Sequence, residues 1–409
     1  MKVLILTWEF PPNLTGGLGR HVAELAPALA TLGVSVHVVT PYPEGDLAYE
    51  TPIQNLVIHR VSISQLNIDG DIYAQAQATN PHLLQAAQTL WTTMGGFDLV
   101  HVHDWLVSFA ALQLKDQYKC PVIATIHATE KGRWRSESLV NPLSQAIDQA
   151  EQALMYEAWR VIACSHYMIG NLMRVFHLPE DKLDMIPNGI QLSTEDEVNA
   201  TVPNFTHLPA ITLRASLGIT DQAPLIFSVG RLSYEKGLHI LLGAMPNVID
   251  IFPDVKLVIA GRGPLLGHLQ SIVTDMHLEQ HIDFAGFISD EERNHYFQAA
   301  NCAVFPSLYE PFGITALEAM ANRCPVVASN VGGLAEVVDH DETGILVYPD
   351  NSESTAWGIL EVLKKPVQSD TYANQAYQML HQRYGWTSIA LETKRVYERV
   401  IEERESVAW

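Results

Sequence analysis

Short apolar, β-rich runs alternate with helical patterns along almost the whole chain, and this alternation limits the fold more than any other feature. In the first half the strand candidates are 3–7, 34–40, 56–60, 99–103, 122–126, 160–164 and 183–186, with helical patterns at 23–32, 81–94, 106–117 and 142–159. The second half restarts the series, with strand candidates at 225–229, 256–260, 282–285, 302–305, 326–328 and 345–347 and helical patterns at 237–251, 290–300, 315–321 and 352–364. Strands separated by helices predict parallel sheets covered on both faces. Two such series predict an α/β chain of two Rossmann-like, doubly wound domains that face a central cleft.

The polar, mixed stretch 188–222 is the predicted domain boundary. We therefore predict an N-terminal domain at 1–195 and a C-terminal domain at 205–386. The chain closes with a long helical pattern, and we expect this helix, 387–409, to pack back on the N-terminal domain. Sheets of this type bind ligands at the carboxyl ends of their strands, so the residues that follow the strands are the site candidates.

The charge balance limits the partners of this chain. The formal net charge is -21, which argues against nucleic acid and against anionic membrane surfaces as partners. No run is long enough to span a membrane, and the apolar N-terminal stretch ends at Trp8, too early for a signal peptide. We therefore expect a cytoplasmic protein without stable membrane insertion. The four cysteines lie far apart and form no C-x-x-C, which argues against a cysteine zinc site.

A glycine-rich loop follows the first predicted strand. Gly16 and Gly17 lie where the strand gives way to a helix, and such a loop allows close backbone approach to an anionic ligand. A dinucleotide fingerprint would need a glycine where Val22 stands. Taken alone, the loop fits either a tight turn or a ligand contact.

Two cations follow the first strand of the second half. Arg231 and Lys236 can reach the same crevice, where a diphosphate would suit them. A surface arrangement paired with Glu235 is the structural alternative. The next strand ends at Gly261, in a small-residue turn that would also let a ligand approach.

The stretch 305–320 combines a strand end, a Pro/Gly loop and an alanine-rich helix. The first N–H groups of the helix could bind phosphate oxygens; they belong to Gly313, Ile314 and Thr315. Glu310 precedes the turn and Glu318 lies on a mostly apolar helix face, where a carboxylate needs partners such as ribose or sugar hydroxyls. A capping role for Glu310 and an ion pair of Glu318 with Arg323 are the alternatives.

Together, these residues resemble the signature of retaining glycosyltransferases with the GT-B fold. That signature has two glutamates eight positions apart, here Glu310 and Glu318, after an Arg and a Lys. Segments 16–22, 103–105 and 125–133 resemble the α-glucan branch, which includes glycogen and starch synthases and the family-4 α-1,4-glucosyltransferases. The motifs occur in the same order and cover nearly the whole chain. The resemblance implies glucose transfer from a nucleotide-sugar to an α-glucan or oligosaccharide acceptor, with retention and an α-1,4 linkage.

The resemblance also implies roles for single residues. The implied catalytic residues are Arg231, Lys236, Glu310 and His127. The implied donor-binding residues are Gly16, Gly17, Arg231, Lys236, Gly261, Phe287, Gly313, Ile314, Thr315 and Glu318. The implied acceptor-side residues are Asp104 and Trp105. An ordinary core role stays open for Phe287 and for Trp105.

No metal and no other cofactor is expected for catalysis, since GT-B enzymes usually need none. The D-x-D at Asp69-Gly70-Asp71 is interpreted as a turn. The nucleotide-sugar would be ADP-, UDP- or GDP-glucose. Bacterial glycogen synthases have a Lys two residues before the glycine pair, where this chain has Leu14, so the usual preference for ADP-glucose is in doubt.

Several other functions fit parts of the pattern. A sucrose- or sucrose-phosphate-synthase-type enzyme with a phosphorylated acceptor stays open because of Lys131, Arg133 and Arg135. A glycoconjugate glycosyltransferase and a GT-B epimerase are further alternatives. A phosphorylase would need pyridoxal phosphate. From a different class, a two-lobed sugar-binding protein would lack the Arg, Lys and Glu pattern.

Overall fold

The structure is a computed structural model that describes residues 1–14, 16–43, 50–64, 70–136, 138–192, 208–220 and 223–407, without the side chains of 208–211. Its contacts divide the chain into two compact units, the first Met1–Gly189 with Trp386–Trp409 and the second Ile190–Gly385. Part of the predicted boundary region 188–222 lies outside the described residues.

The first unit is built on one eight-stranded, mostly parallel sheet. Its strands are β1 Lys2–Leu6, β2 Ser35–Tyr42, β3 Glu50–Ile53, β4 Leu56–Ser62, β5 Leu99–His103, β6 Val122–Ile126, β7 Arg160–Ala163 and β8 Leu183–Met185. They are arranged in the order β3-β4-β2-β1-β5-β6-β7-β8, and β3 alone of these runs antiparallel to its neighbour. Every residue of β5 and β6 is buried, as expected of strands with helices on both faces. The exposed strand β3 was not predicted because it carries no apolar run.

The helices of the first unit are α1 Gly17–Thr31, α2 Ile72–Met94, α3 Ser108–Tyr118, α4 Glu130–Trp134, α5 Pro142–Glu157 and α6 His166–Phe176. A helix was predicted from Pro81, but α2 already begins at Ile72. Asp71 is its N-cap, since the carboxylate accepts the N–H of Ala74 at 2.9 Å. The alanine-rich first turns then carry the helix through the proline.

The C-terminal helix belongs to the first unit. It spans Trp386–Glu405, and its apolar face shares one buried cluster with α1 and β1. Tyr397 is fully buried in that cluster, and its hydroxyl lies 2.6 Å from Nδ1 of His101 on β5. The helix therefore covers the sheet next to its central strands. Residues 408–409 of the predicted helix lie outside the described residues.

The second unit repeats the architecture with a six-stranded sheet. Its strands are β9 Leu225–Val229, β10 Lys256–Ala260, β11 Ile282–Gly286, β12 Cys302–Phe305, β13 Val326–Ser329 and β14 Ile345–Val347. Their order is β11-β10-β9-β12-β13-β14, and all pairs are parallel. The predicted fold class, two parallel-sheet Rossmann-like domains, is confirmed.

The helices of the second unit are α7 Leu208–Ser216, α8 Leu238–Ile249, α9 Leu266–Asp275, α10 Asp290–Ala299, α11 Ile314–Ala321, α12 Leu334–Val337, α13 Ser352–Lys364 and α14 Pro366–Arg383. Helix α10 begins with a capping box between Ser289 and Glu292. Helix α14 was not predicted because small and aromatic residues, among them Ser369, Ala373 and Tyr377, form its buried face in place of an aliphatic stripe.

The strand orders bring the site candidates together at the carboxyl edges. In the first unit β1, β5 and β6 are neighbours, so the glycine loop, Asp104 and His127 leave one edge. In the second unit β10, β9 and β12 are neighbours, so Gly261, Lys236 and Glu310 leave one edge.

Across the described ranges, the helices lack the combination of length and apolar character that a bilayer crossing requires.

Candidate active site

A lysine–glutamate ion pair lies at the carboxyl edge of the second sheet. Lys236 Nζ is 2.6 Å from Glu310 Oε2, and the same oxygen accepts a hydrogen bond from Ser307 Oγ at 3.1 Å. The sequence left a pair of Lys236 with Glu235 open, but Glu235 accepts from Ser233 Oγ at 2.6 Å. Glu310 is 9% exposed, whereas the Lys236 side chain keeps 27% of its surface. Lys236 is thus held by a nearly buried carboxylate, and part of its side chain stays accessible to solvent.

Arg231 follows β9 closely, and its side chain is exposed. The structure therefore places the predicted pair of cations, Arg231 and Lys236, within one short loop. This loop is tightly packed: Gly237 has a left-handed φ of +64, and a Cβ there would lie 2.0 Å from the carbonyl oxygen of Pro306. Glycine at 237 is required by the neighbouring backbone, which fixes the position of Lys236.

Contacts within the second unit also explain why position 261 is a glycine. Its φ is +131, and a Cβ there would lie 1.8 Å from the carbonyl oxygen of Gly230. The Gly261 N–H donates to the Gly286 carbonyl at 2.7 Å. Close packing of three strand ends therefore accounts for this glycine, and its contact with a donor stays a prediction.

Helix α11 begins beside Glu310. Gly313 has a φ of +110, and a Cβ there would lie 2.7 Å from Leu334 Cδ2 and 3.8 Å from Glu310 Cγ. The first helical hydrogen bond runs from the Ala316 N–H to the Gly313 carbonyl at 3.0 Å. The preceding N–H groups, predicted to bind phosphate, therefore belong to the positive end of the helix; they are those of Gly313, Ile314 and Thr315.

Glu318 forms a buried ion pair one turn further along α11. Its Oε1 lies 3.0 Å from an Nη of Arg293, and the two residues are 5% and 8% exposed. The same Nη is 3.0 Å from an Asp290 oxygen. The sequence suggested Arg323 as the partner, but its guanidinium lies 4.2 Å over the ring of Tyr377. Arg293 therefore orients the Glu318 carboxylate.

Phe287 is a surface residue. Its side chain is 64% exposed, and the Arg262 guanidinium lies 5.2 Å from its ring centroid. Together with Ile288 and Tyr296 it lines a pocket of about 260 Å³. The core alternative for Phe287 is thus wrong, and its predicted place beside a base is stereochemically open.

In the first unit, the glycine pair begins α1. The Gly16 N–H donates to Glu9 Oε2 at 3.0 Å. No described atom lies within 4 Å of the place that a Cβ on Gly16 would take, whereas a Cβ on Gly19 would lie 2.6 Å from Leu14 Cδ2. Packing within this unit explains glycine at 19 but not at 16. Gly16 and Gly17 are both exposed, so their backbone is accessible to a ligand.

His127 belongs to a cluster of imidazoles. Its Nε2 lies 3.1 Å from Nδ1 of His103, and the His21 ring centroid is 4.9 Å from the His127 centroid. Burial lowers the pKa of all three rings, and charge repulsion from neighbouring imidazoles lowers each pKa further. These imidazoles are therefore neutral near pH 7, and a neutral ring can hydrogen-bond a sugar hydroxyl.

Asp104 has a strained backbone, with a φ of +58. Its Oδ1 accepts the His127 N–H at 2.7 Å. Burial raises the pKa of Asp104 to about 7, although the N–H of His127 and the nearby charge of Arg133 oppose that rise. The carboxyl thus links β5 to the loop that carries His127.

Trp105 is only 4% exposed, and its ring stacks on Tyr73 with 5.7 Å between centroids. The structure places the indole in a small apolar cluster. Of the cations that kept a phosphorylated acceptor open, Lys131 Nζ is 3.1 Å from Asp148 and Arg133 is 3.8 Å from Glu130. Both of these cations already face carboxylates.

Only part of the D-x-D motif lies within the described residues. Asp69 lies outside them, and Asp71 caps helix α2 as described above. Asp71 thus has a structural role as a helix cap, and the interpretation of the whole motif as a turn stays a prediction.

Sequence reasoning missed three side chains of these sites. Neither Arg293 nor Ser307 was predicted to contact a site residue. His21 stands in the recognised segment 16–22, yet nothing in the sequence indicated that α1 would bring it to His127. These partners come from strands and helices that are far apart in the chain. They are visible in the tertiary structure and not in the spacing of residues along the sequence.

The residues around Lys236, Glu310 and the start of α11, at the carboxyl edge of the second sheet, can bind a diphosphate. The loop after β9 carries an ion-paired lysine and an exposed arginine, the positive end of α11 lies beside Glu310, and the Glu318–Arg293 pair lies one turn further along that helix.

The carboxyl edge of the first sheet offers the neutral imidazole of His127 and the exposed backbone of Gly16 and Gly17. These groups suit a polar, uncharged ligand such as a sugar ring.

Family models match both halves of the chain. The model of glycosyltransferase family 4 covers residues 15–194, and the model of glycosyl transferases group 1 covers residues 210–379. The two matches correspond closely to the two units found from the contacts.

Similar proteins match the chain over nearly its full length. An uncharacterized glycosyltransferase of Methanocaldococcus jannaschii is 34% identical, over 98% of this chain and 99% of the relative. Glycogen synthase of Mycobacterium tuberculosis is 32% identical, over 97% of this chain and 94% of the relative. Among solved structures, sucrose-phosphate synthase from Thermosynechococcus elongatus has a TM-score of 0.82 at 24% identity and covers 98% of this chain and 99% of its own.

Proposed function

The chain belongs to the family-4 glycosyltransferases with the GT-B fold and is related to glycogen synthase, and from this premise we propose that it transfers glucose from a nucleoside diphosphate glucose to an α-glucan or oligosaccharide. We propose further that the transfer retains the α configuration and makes an α-1,4 linkage. One observation carries the proposal above the others: the Lys236–Glu310 pair stands beside the start of helix α11.

Lys236 and Arg231 would stabilise the departing diphosphate. As the bond between the sugar C1 and the phosphate oxygen breaks, negative charge builds up on the diphosphate. A fixed ammonium, an exposed guanidinium and helix N–H groups stabilise that charge more than they stabilise the bound substrate. The diphosphate oxygen then takes the acceptor hydroxyl proton as the new C1–O bond forms on the same face.

The paired carboxylates would orient the donor. Glu318, held by Arg293, accepts hydrogen bonds from the ribose hydroxyls, and Glu310 accepts them from the hexose. Phe287 offers an exposed ring for the base. A carboxylate that is already paired does not need to be desolvated again when the donor arrives, which favours binding.

His127 would hydrogen-bond the transferred hexose as a neutral imidazole. Gly16 and Gly17 would approach the donor through their exposed backbone, and Asp104 and Trp105 would shape the acceptor side. No metal or organic cofactor takes part in the proposed reaction. Transfer should therefore continue in an excess of chelator, and loss of activity there would contradict this part of the proposal.

The test is acceptor-dependent release of nucleoside diphosphate. The full chain is incubated with ADP-, UDP- or GDP-glucose, each with and without maltooligosaccharides, and the products are resolved by chain length. We expect release only with acceptor, together with chains lengthened by single glucose units, and the productive donor names the base. An α-anomeric product by NMR supports retention, and a β-anomer contradicts it.

A phosphorylated acceptor is the second candidate, suggested by the relative α-maltose-1-phosphate synthase of Mycobacterium tuberculosis, 30% identical over 98% of this chain and 100% of the relative. Lys131 and Arg133 already face carboxylates, as Lys236 does, so the assay decides between the two kinds of acceptor. Glucose 1-phosphate and fructose 6-phosphate belong in the same assay. Release with either of these and none with maltooligosaccharides would replace the proposed acceptor and keep the donor site.

A further inference from the structure

Three histidines from separate elements of the first unit converge. His21 lies on α1, His103 ends β5, and His127 follows β6. Each offers one ring nitrogen, and these three atoms lie within 4.8 Å of one another. His21 and His103 are 4% and 0% exposed, and His127 is half-buried. The third ring therefore provides a route from the surface to the other two.

The cluster does not satisfy its own hydrogen bonds. His103 Nδ1 and His127 Nε2 are 3.1 Å apart, which accounts for one nitrogen of each ring. Among the described side chains, His103 Nε2 is buried without a hydrogen-bond partner, and His21, which has Asn188 beside it, has no partner of standard geometry at Nδ1. Buried polar atoms without partners are uncommon, and the three rings are open to a ligand that binds one nitrogen of each.

The spacing suits a transition-metal ion. Two imidazole nitrogens bound to one tetrahedral ion are about 3.4 Å apart, because each Zn–N bond is about 2.05 Å. The His103–His127 distance of 3.1 Å is close to that value, and a modest shift of His21 would bring in the third nitrogen. Imidazole ligands favour Zn²⁺, Co²⁺, Ni²⁺ or Cu²⁺ over the oxygen-preferring Mg²⁺ and Ca²⁺.

We propose that His21, His103 and His127 form an inhibitory binding site for a divalent transition-metal ion such as Zn²⁺. The ion takes a ring nitrogen of His127 and breaks its bond with His103, so His127 can no longer serve the hexose. Metal binding rests on the geometry alone, and only the inhibition rests on the proposed function. The ion has no part in catalysis and acts against it.

A second histidine pair provides a matched control. His37 Nδ1 and His59 Nε2 also lie 3.1 Å apart, in the same unit, with nearly parallel rings. A third ligand of the kind found in the cluster is not among the described groups around this pair. His37→Gln therefore removes a buried imidazole of similar chemistry without touching the proposed site.

Binding is measured first, with Co²⁺ as the spectroscopic probe. The EDTA-treated, dialysed full chain is titrated with Co²⁺, and the visible d–d bands are followed. We expect saturation at one equivalent, displacement by Zn²⁺, affinity about tenfold or more weaker in His21→Gln and unchanged affinity in His37→Gln. Equal affinities in the two variants, or no site with one-to-one stoichiometry, would overturn the proposal.

A second measurement does not depend on a variant. Anomalous diffraction at the zinc edge, from crystals soaked with Zn²⁺, shows where the ion lies, and an ion away from the three rings overturns the proposal. Transfer assays then compare each variant with and without Zn²⁺. We expect inhibition of the wild type that EDTA reverses and a higher inhibitory concentration for His21→Gln. If no donor is used at all, the proposed function fails, while the Co²⁺ titration still decides the metal site.

Discussion

The two glutamates of the second unit differ, as single residues, in what holds them. Glu310 is bound to a partly exposed lysine, and Glu318 to a buried arginine. The first arrangement leaves a cation that a ligand can reach, and the second leaves a buried, oriented acceptor. In the proposed mechanism, stabilisation of the leaving diphosphate and positioning of the donor belong to separate ion pairs.

We predict that Lys236→Met lowers kcat by more than about a hundredfold, because the charge on the leaving diphosphate loses its fixed ammonium. Lys256→Met is the matched control. Lys256 also pairs with an acid of the second unit, its side chain is 26% exposed against 27% for Lys236, and it begins β10 at the opposite edge of the sheet. Steady-state kinetics of both variants decide the matter. Near-normal turnover of Lys236→Met would remove this lysine from the mechanism.

Arg293→Met should raise the KM for the nucleotide-sugar about tenfold or more, since removing one partner of a buried ion pair leaves the other charge uncompensated. The turnover number should change much less, because Glu318 does not contact the reacting atoms in the proposed mechanism. Arg293→Lys should recover part of the affinity. Arg323→Met is the control and should leave KM unchanged, because Arg323 lies on Tyr377. An equal effect of both methionine variants would contradict the assignment.

At the level of secondary-structure elements, contacts between backbones fix the positions of the strand ends. The loop after β9 passes so close to Pro306, just after β12, that a single methyl group at Gly237 would collide with a carbonyl oxygen. A loop held in this way presents Lys236 in one position. The rigid parts of the site are therefore the strands and their first turns.

Gly237→Ala should lower the free energy of unfolding by about 2 kcal/mol or more, from left-handed strain and the collision with Pro306. Gly267→Ala is the opposite control. Gly267 lies in helix α9, and no described atom lies within 4 Å of the place that an added methyl group would take, so alanine should stabilise by ~0.5–1 kcal/mol. Urea unfolding of the two variants, followed by circular dichroism, should give shifts of opposite sign. Shifts of the same sign would show that Gly237 is not constrained by its neighbours.

Across the molecule as a whole, sensitivity to acid is concentrated in the first unit. This unit buries neutral histidines, and burial lowers the pKa of His101 to about 3 and of His59 to about 4. Such a group takes up a proton near pH 6 only in the unfolded chain. Its contribution to stability is therefore complete above pH 6.5 and is lost as the pH falls toward the folded-state pKa.

Two buried acids act in the opposite direction. Burial raises the pKa of Asp104 to about 7 and that of Glu151 well above its usual range, so between the ordinary and the raised pKa these carboxyls hold protons only in the folded state. They favour the folded state as the pH falls from 7 toward 4. Partial burial raises the pKa of Glu24 as well, but among the described residues of the first unit six histidines of lowered pKa outnumber these three acids. The net effect of acid is thus destabilising.

We predict that the unfolding free energy of the first unit falls by about 2 kcal/mol or more between pH 6.5 and pH 5. Tryptophan fluorescence is a selective probe, because every tryptophan except Trp357 lies in the first unit. Urea titrations at both pH values give the difference. A constant or rising free energy at pH 5 would mean that the histidines are protonated in the folded state.

Local sequence patterns were enough to establish the α/β class, most strand bounds and the group of residues at the carboxyl edges. β-branched runs, glycine at turns and helix-starting residues are properties of neighbours in the chain, so a linear reading detects them. Strands β5, β6, β9 and β12 therefore have the predicted bounds. The family signature at Glu310 and Glu318 is local in the same sense.

Which charges pair and which rings meet depends instead on the tertiary structure. Glu318 pairs with Arg293 from another helix, His21 from α1 meets His127 after β6, and Trp105 is covered by Tyr73. The order of the strands in the sheet brings these residues together. That order depends on the free energy of packing between segments far apart in the chain, and local sequence patterns contain no information about it. The edge strand β3 and helix α14 were missed for the same physical reason, since neither has an aliphatic pattern of its own and the surrounding fold holds both in place.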